Sequence, residues 1–228
     1  MASRQLPLDL PVEARYGAED FLISDCNEAA YRFLETWPAW QTPFALLIGP
    51  AGSGKSHLAA IFAARSGGAS VAAETLTAGR VPELVRHPAV VVEDADRHLT
   101  VEADLFHLLN MAREAGSAVL LTARAPLTAW NLRTADLHSR LRLATRLDIA
   151  PPDDSLLRAL LVKMFVDRQL AIDTHVIDYL AVRIERSFAA CRAVVEALDR
   201  EALAQGRRVT RAMAAQVVSQ HQDDDAGR

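Results

Sequence analysis

Short apolar runs recur along the chain at 44–48, 70–73, 89–92, 118–121 and 146–149. Most of them lack the polar alternation of a strand with one wet face, so they predict strands buried on both sides. Between the runs, helical spacing of apolar residues predicts helices over 27–36, 54–65, 76–85, 101–114 and 137–143. Strands and helices that alternate in this way form βαβ units. The expected fold is therefore α/β, with a five-stranded parallel sheet flanked by helices.

The pattern changes after Ala150. Pro151 and Pro152 begin a linker, and Asp153, Asp154 and Ser155 supply helix N-cap chemistry. Nothing beyond reads as a strand. Helices are predicted over 155–170, 175–185, 189–204 and 210–220, the last introduced by Gly206 and a capping Thr210. The expected organisation is an arm over 1–15, an α/β domain over 16–150, a small all-α lid over 151–222 and a frayed acidic tail over 223–228.

Composition narrows the classes without choosing among them. With 228 residues, 50% hydrophobic and 24% charged, the chain has the make-up of a globular protein and not of a disordered one. A net charge of -4 argues against binding DNA by charge alone. Cys26 and Cys191 fit neither a metal spacing nor a disulfide framework, which suggests a reducing compartment. No leader-like apolar region and no stretch of about 18 apolar residues is found, so the expected location is cytoplasmic, away from membranes.

One motif is specific. Gly49, Pro50, Ala51, Gly52, Ser53, Gly54, Lys55 and Ser56 satisfy G-x-x-x-x-G-K-[ST], between a predicted strand and a predicted helix. The glycines let backbone N–H groups turn inward onto phosphate oxygens, Lys55 adds positive charge, and the Ser56 hydroxyl can ligate Mg²⁺. ADP or ATP is the expected ligand. The run 89–92 leads into Glu93 and Asp94, which places two carboxylates at a strand exit, suited to holding Mg²⁺ and orienting water. Glu93 joins Ser56 as a candidate metal ligand.

The segment GKSHL, which includes His57, resembles the AAA+ module of the bacterial replication initiator DnaA and of its shorter Hda-type relatives, regulators of replication initiation. DFLISDCN at 20–27 resembles the segment of that family that packs on adenine, which implies contacts from Phe21, Leu22 and Asn27. LLTARAP at 120–126 resembles the sensor 1 strand and implies that Thr122 lies near the γ-phosphate. His138, Ser139, Arg140 and Leu141 resemble the arginine-finger segment, with Arg140 the candidate among Arg133, Arg140, Arg142 and Arg146. RAVVEALDR at 192–200 resembles the sensor 2 helix and implies Arg192 over the phosphates. At the amino end, Gln5, Leu6, Leu8 and Leu10, with Pro7 and Asp9 between them, resemble the peptide by which partners grip the sliding clamp, the beta subunit of DNA polymerase III.

The resemblance implies a negative regulator of initiation that docks on the clamp and stimulates ATP hydrolysis by DnaA in trans. It implies no direct sequence-specific DNA binding, since the helix-turn-helix domain of DnaA has no counterpart in the sequence. A nucleotide-dependent homodimer stays open beside a monomer. Two departures weaken the expectation of fast intrinsic hydrolysis: Glu93 stands where the family usually has Asp, and Arg124 where DnaA has an acidic residue. The alternatives are a stand-alone P-loop ATPase or kinase, and a helicase-loader-like adaptor.

Overall fold

A computed structural model describes residues 17–97 and 102–226, without the side chains of 221–226. The chain divides into two compact units and passes from one to the other at Pro151 and Pro152. In the first, five strands make one parallel sheet: β1 (Phe44–Ile48), β2 (Ala69–Ala72), β3 (Ala89–Glu93), β4 (Ala118–Ala123) and β5 (Thr145–Asp148). Their order across the sheet is β2-β3-β4-β1-β5.

The period of two along the inner strands β1, β3 and β4 feeds two cores, while the edge strands β2 and β5 bury one side chain each. Leu46, Ile48, Val90, Val92, Val119 and Leu121 face one side, where they pack with Leu105, Leu108 and Leu109 of α4 (Glu102–Ala115) and Leu137 and Leu141 of α5 (Ala135–Leu141). Ala45, Leu47, Val91, Leu120 and Leu147 face the other, against Ala30 and Leu34 of α1 (Glu28–Glu35) and Leu58, Ala59 and Phe62 of α2 (Lys55–Ser66). Continuous apolar runs are what such double burial requires. Replacing a fully buried leucine such as Leu47 or Leu120 by alanine costs about 2–5 kcal/mol in comparable cores.

Boundaries differ from expectation where local chemistry overrides periodicity. The helix expected over 76–85 is a single turn, α3 (Val81–Leu84), preceded by a 3-10 turn at Ala73–Thr75. Pro82 lies in its first turn, where a missing N–H costs nothing. β4 runs two residues past the expected end, because Gly49 N–H donates to the Ala123 carbonyl and Ala95 N–H to the Thr122 carbonyl.

Among the described residues, the elements of the second unit are all helices: α6 (Asp154–Asp167), α7 (Thr174–Ala181), α8 (Phe188–Gln205) and α9 (Arg211–Ala226). Asp153 caps α6 by accepting from Leu156 N–H at 2.7 Å, and Ser187 caps α8 by accepting from Ala190 N–H at 3.0 Å. Leu157, Phe165, Leu180, Val195 and Leu198 are among its buried residues. Helix α9 continues to Ala226, through the segment expected to fray. The expected clamp-binding residues Gln5, Leu6, Leu8 and Leu10 lie outside the described residues.

Candidate nucleotide site

The strand order brings the site together. Because β4 lies between β1 and β3, Thr122 pairs opposite Leu47 on one side, and on the other Val92 pairs with Leu121, one residue before the Glu93 exit. The carboxyl ends of β1, β3 and β4 therefore deliver the glycine loop, the buried Thr122 and the acidic pair to one edge, where ligands bind in open α/β sheets.

The loop is shaped for a tight wrap. A Cβ on Gly49 would come within 2.7 Å of Ser53 Oγ and 2.9 Å of the Ile149 carbonyl oxygen, so no side chain fits there. Gly52 and Gly54 adopt φ of 68° and 91°, the left-handed region that glycine enters at little cost. Lys55, only 6% exposed, donates through Nζ to the carbonyls of Gly49 and Pro50, each at 2.7 Å. Burial pushes its amine below the usual lysine range and the Arg124 charge adds to the shift, while Asp94, Asp96 and Glu93 oppose it. Ser53 Oγ is buried with no hydrogen-bond partner.

These features fit a phosphate. A bound phosphate gives Lys55 a full counter-charge in place of two carbonyl dipoles, and offers an acceptor to the unpartnered Ser53 hydroxyl. For the metal, Ser56 Oγ donates to Glu93 Oε2 at 2.5 Å, which sets two hard oxygen donors side by side. Among the described residues no group of three His, Cys, Asp or Glu side chains could hold a metal. That donor set suits Mg²⁺, which takes one or two protein oxygens and completes its shell from phosphates and water.

Asp94 follows in a left-handed conformation, φ 53°, with its N–H donated to Thr122 Oγ1 at 3.0 Å. Its carboxylate lies between two guanidinium groups, at 3.7 Å from Arg124 Nε and 3.8 Å from Arg97 Nη1. Asp96 was not anticipated. Its Oδ2 accepts from the N–H groups of both Arg124 and Ala125 at 2.9 Å, tying the β3 exit to the β4 exit, and its Oδ1 is buried without a partner. The signal available in the sequence was the spacing Asp94-Ala95-Asp96-Arg97 at the strand exit.

The segment ahead of the loop is folded onto α1 and α2. Phe21 is buried, stacked on Tyr31 with ring centroids 5.8 Å apart and edge-on to His57 at 5.2 Å. His57 Nε2 lies 2.9 Å from the Gly17 carbonyl oxygen. Asn27 is buried and closes its own turn, accepting from Ser24 N–H and donating to the Leu22 carbonyl, with Leu22 half-buried beside it. Arg140 lies on α5 with its guanidinium 5.6 Å over the Phe106 ring, while Arg146 is taken up by Asp148 at 2.8–3.0 Å. Arg192 is exposed on α8 of the helical unit.

Comparison with solved structures settles the architecture. Domain III of the Thermotoga maritima replication initiation protein DnaA superposes with a TM-score of 0.78 at 16% identity, covering 90% of this chain and 96% of that one. The chain has the AAA+ fold. AMPPCP-bound DnaA from Aquifex aeolicus matches this chain at TM-score 0.66 and 18% identity, over 79% of this chain and 63% of that one. The AAA domain of FIGL-1 in complex with ADP matches at 0.63 and 18%, over 77% and 70%. No protein-family model matches the sequence, and no curated protein does. Among the described residues no helix is long and apolar enough to cross a membrane.

Proposed function

We propose that this AAA+ chain is an Hda-type regulator of replication initiation. It binds ADP or ATP with Mg²⁺ in the loop 49–56, docks on the sliding clamp through Gln5, Leu6, Leu8 and Leu10, and presents Arg140 to DnaA-bound ATP. The observation that carries the nucleotide half of this reading is the pairing of a wrapped glycine loop with a buried, charge-starved Lys55 and an unpartnered Ser53 hydroxyl. Ser56 and Glu93 would share the metal, Thr122 would read the phosphates, and Phe21, Leu22 and Asn27 would line the base.

The regulatory half rests on the DnaA-like architecture together with the 5–10 peptide. Leucines at alternate positions in a proline-bearing extended segment can fill apolar pockets of a partner. An arginine delivered to a neighbour's triphosphate stabilises the charge that develops in phosphoryl transfer, worth about 10³- to 10⁵-fold in related reactions. Arg140 is suited to delivery because Phe106 supports its guanidinium face without neutralising it.

The decisive mixture contains ATP-bound DnaA, clamp loaded on DNA, and this protein. ATP turnover should rise on its addition, and Arg140→Ala should remove the rise while nucleotide binding by the variant persists. Unchanged turnover with wild-type protein, or full stimulation by Arg140→Ala, contradicts the reading. The complete Lys55, Ser56 and Glu93 set also favours a second reading, a stand-alone ATPase. Turnover by the purified protein alone above about 1 s⁻¹ would select it.

A further inference from the structure

We propose that a cavity in the helical unit, where Arg183 and Arg211 lie over the ring of Tyr179, binds the phosphate of a small phosphomonoester. The site shares no residue with the loop 49–56 and does not depend on it. The cavity has a volume of about 560 Å³ and is lined by His175, Asp178, Tyr179, Arg183 and Arg211. His175, Tyr179 and Arg183 recur at intervals of four along α7 and the turn that ends it, so one helix face presents all three. Arg211 opens α9, which packs against α7.

The two guanidinium groups are supported without being neutralised. That of Arg183 lies 4.0 Å from the Tyr179 ring centroid, and that of Arg211 lies 5.3 Å from it. Arg183 Nη1 also donates to the Tyr179 carbonyl at 3.3 Å, which holds the side chain back over the helix. A ring face steadies a guanidinium and leaves N–H edges for an acceptor. Among the described residues neither group has a carboxylate within ion-pair distance. Arg158, Arg168 and Arg186 of the same unit each have one, at 3.1 Å from Asp178, 3.4 Å from Glu196 and 2.7 Å from Asp154. Asp178, on the cavity wall, is therefore engaged by Arg158 and does not offset the pair.

Two planar cations beside one cavity call for an anion of matching charge with several acceptor oxygens. A phosphomonoester carries about -1.5 to -2 at neutral pH and offers three strong acceptors. A carboxylate or a backbone phosphodiester brings a single charge and fewer free oxygens. The volume falls within the range of small-molecule sites, about 300–1,000 Å³, so a sugar-sized body fits beside the phosphate and its hydroxyls can donate to Asp178. A free sugar phosphate and the 5′-phosphate end of a nucleic-acid strand share this chemistry.

The test is calorimetric titration of the full chain with ribose 5-phosphate, with ribose as control. Wild type should bind the phosphate and not the sugar. Arg183→Gln with Arg211→Gln should weaken binding roughly 10-fold or more at an unchanged melting temperature. Arg211→Gln alone, at an exposed position, repeats the test should the double variant unfold. Tyr179→Leu should cost a few fold and Tyr179→Phe nothing, since the ring and not the hydroxyl supports the arginines. A 5′-phosphorylated trinucleotide that binds more tightly than ribose 5-phosphate assigns the phosphate to a strand end, and equal or weaker binding assigns it to a free sugar phosphate. No binding by wild type, equal binding of ribose, or full affinity in the folded arginine variants overturns the site. So does a trinucleotide that binds equally well without its 5′-phosphate, since the backbone would then be the ligand.

Discussion

At the scale of single residues, Lys55 couples the site to pH. Its amine is held below the ordinary lysine pKa of 10.5, first by burial and then by Arg124. A lysine whose folded pKa is depressed costs the apo protein stability while it is charged, and that cost lifts as pH rises through the lowered value toward 10.5. A phosphate favours the charged form, so binding draws in a proton at alkaline pH. We expect ADP affinity, measured by calorimetry, to fall as pH rises toward 10.5 from below, earlier than an ordinary lysine would allow. Lys55→Ala should weaken binding by roughly 100-fold, the loss of the lysine's charge-assisted contact with phosphate, and flatten that alkaline slope.

The same scale shows what a linear sequence can and cannot convey. Lys55, Ser56 and Glu93 were legible as neighbours, because glycines at fixed offsets wrap the loop and a carboxylate ends a buried apolar run. Asp96 was not, because its role exists only when the β3 and β4 exits are side by side. That adjacency is a property of strand order. Asn27 was legible as a position and not as a contact: a buried amide serving two backbone groups of its own turn leaves no periodic trace.

At the scale of elements, the loop between β1 and α2 tolerates almost no substitution at its first position. In Gly49→Ala the new methyl meets the Ile149 backbone oxygen, which cannot rotate aside as a side chain would. We expect thermal unfolding to report a loss of about 1–3 kcal/mol, with nucleotide binding impaired in the protein that remains folded. Helix α5, which carries Arg140, is tethered differently. Glu102 of α4 accepts from Arg133 N–H and Thr134 N–H at 3.0–3.1 Å, and the Arg133 bond is the leading reason its carboxyl titrates below 4.5. Glu102→Ala should destabilise by about 1 kcal/mol near neutral pH, since the tether is well exposed. A depressed carboxylate contributes above its unfolded pKa and stops contributing as pH falls through the folded value, so wild type and variant should converge in denaturant titrations run below pH 4.5. The inner strands β1, β3 and β4 were legible because double burial leaves unbroken apolar runs. Helix α3 was not, because Pro82 and Gly79 restart the chain inside a stretch whose apolar spacing alone reads as one longer helix.

At the scale of the whole molecule, the arm and the nucleotide site should separate cleanly. Removing residues 1–11 should abolish binding to the clamp in a surface-capture assay, while the ADP-induced shift in melting temperature stays as in the intact chain. At ADP a hundredfold above its dissociation constant that stabilisation is about 2.7 kcal/mol. A deletion that keeps clamp binding would move the docking surface elsewhere.

The position of β1 at the interior of the sheet has a consequence for biosynthesis. The first strand translated takes as neighbours the fourth and the fifth, with Leu46 opposite Leu121 on one side and Arg146 on the other. A growing polypeptide that has just emerged past the glycine loop therefore carries an apolar strand with one edge unpaired until β4 emerges and the other until Asp148 emerges. Contacts so distant in sequence form late and leave sticky intermediates in the meantime. Nascent chains stalled short of β5 should bind trigger-type chaperones and ignore added nucleotide, and release of a few dozen further residues should reverse both behaviours at once.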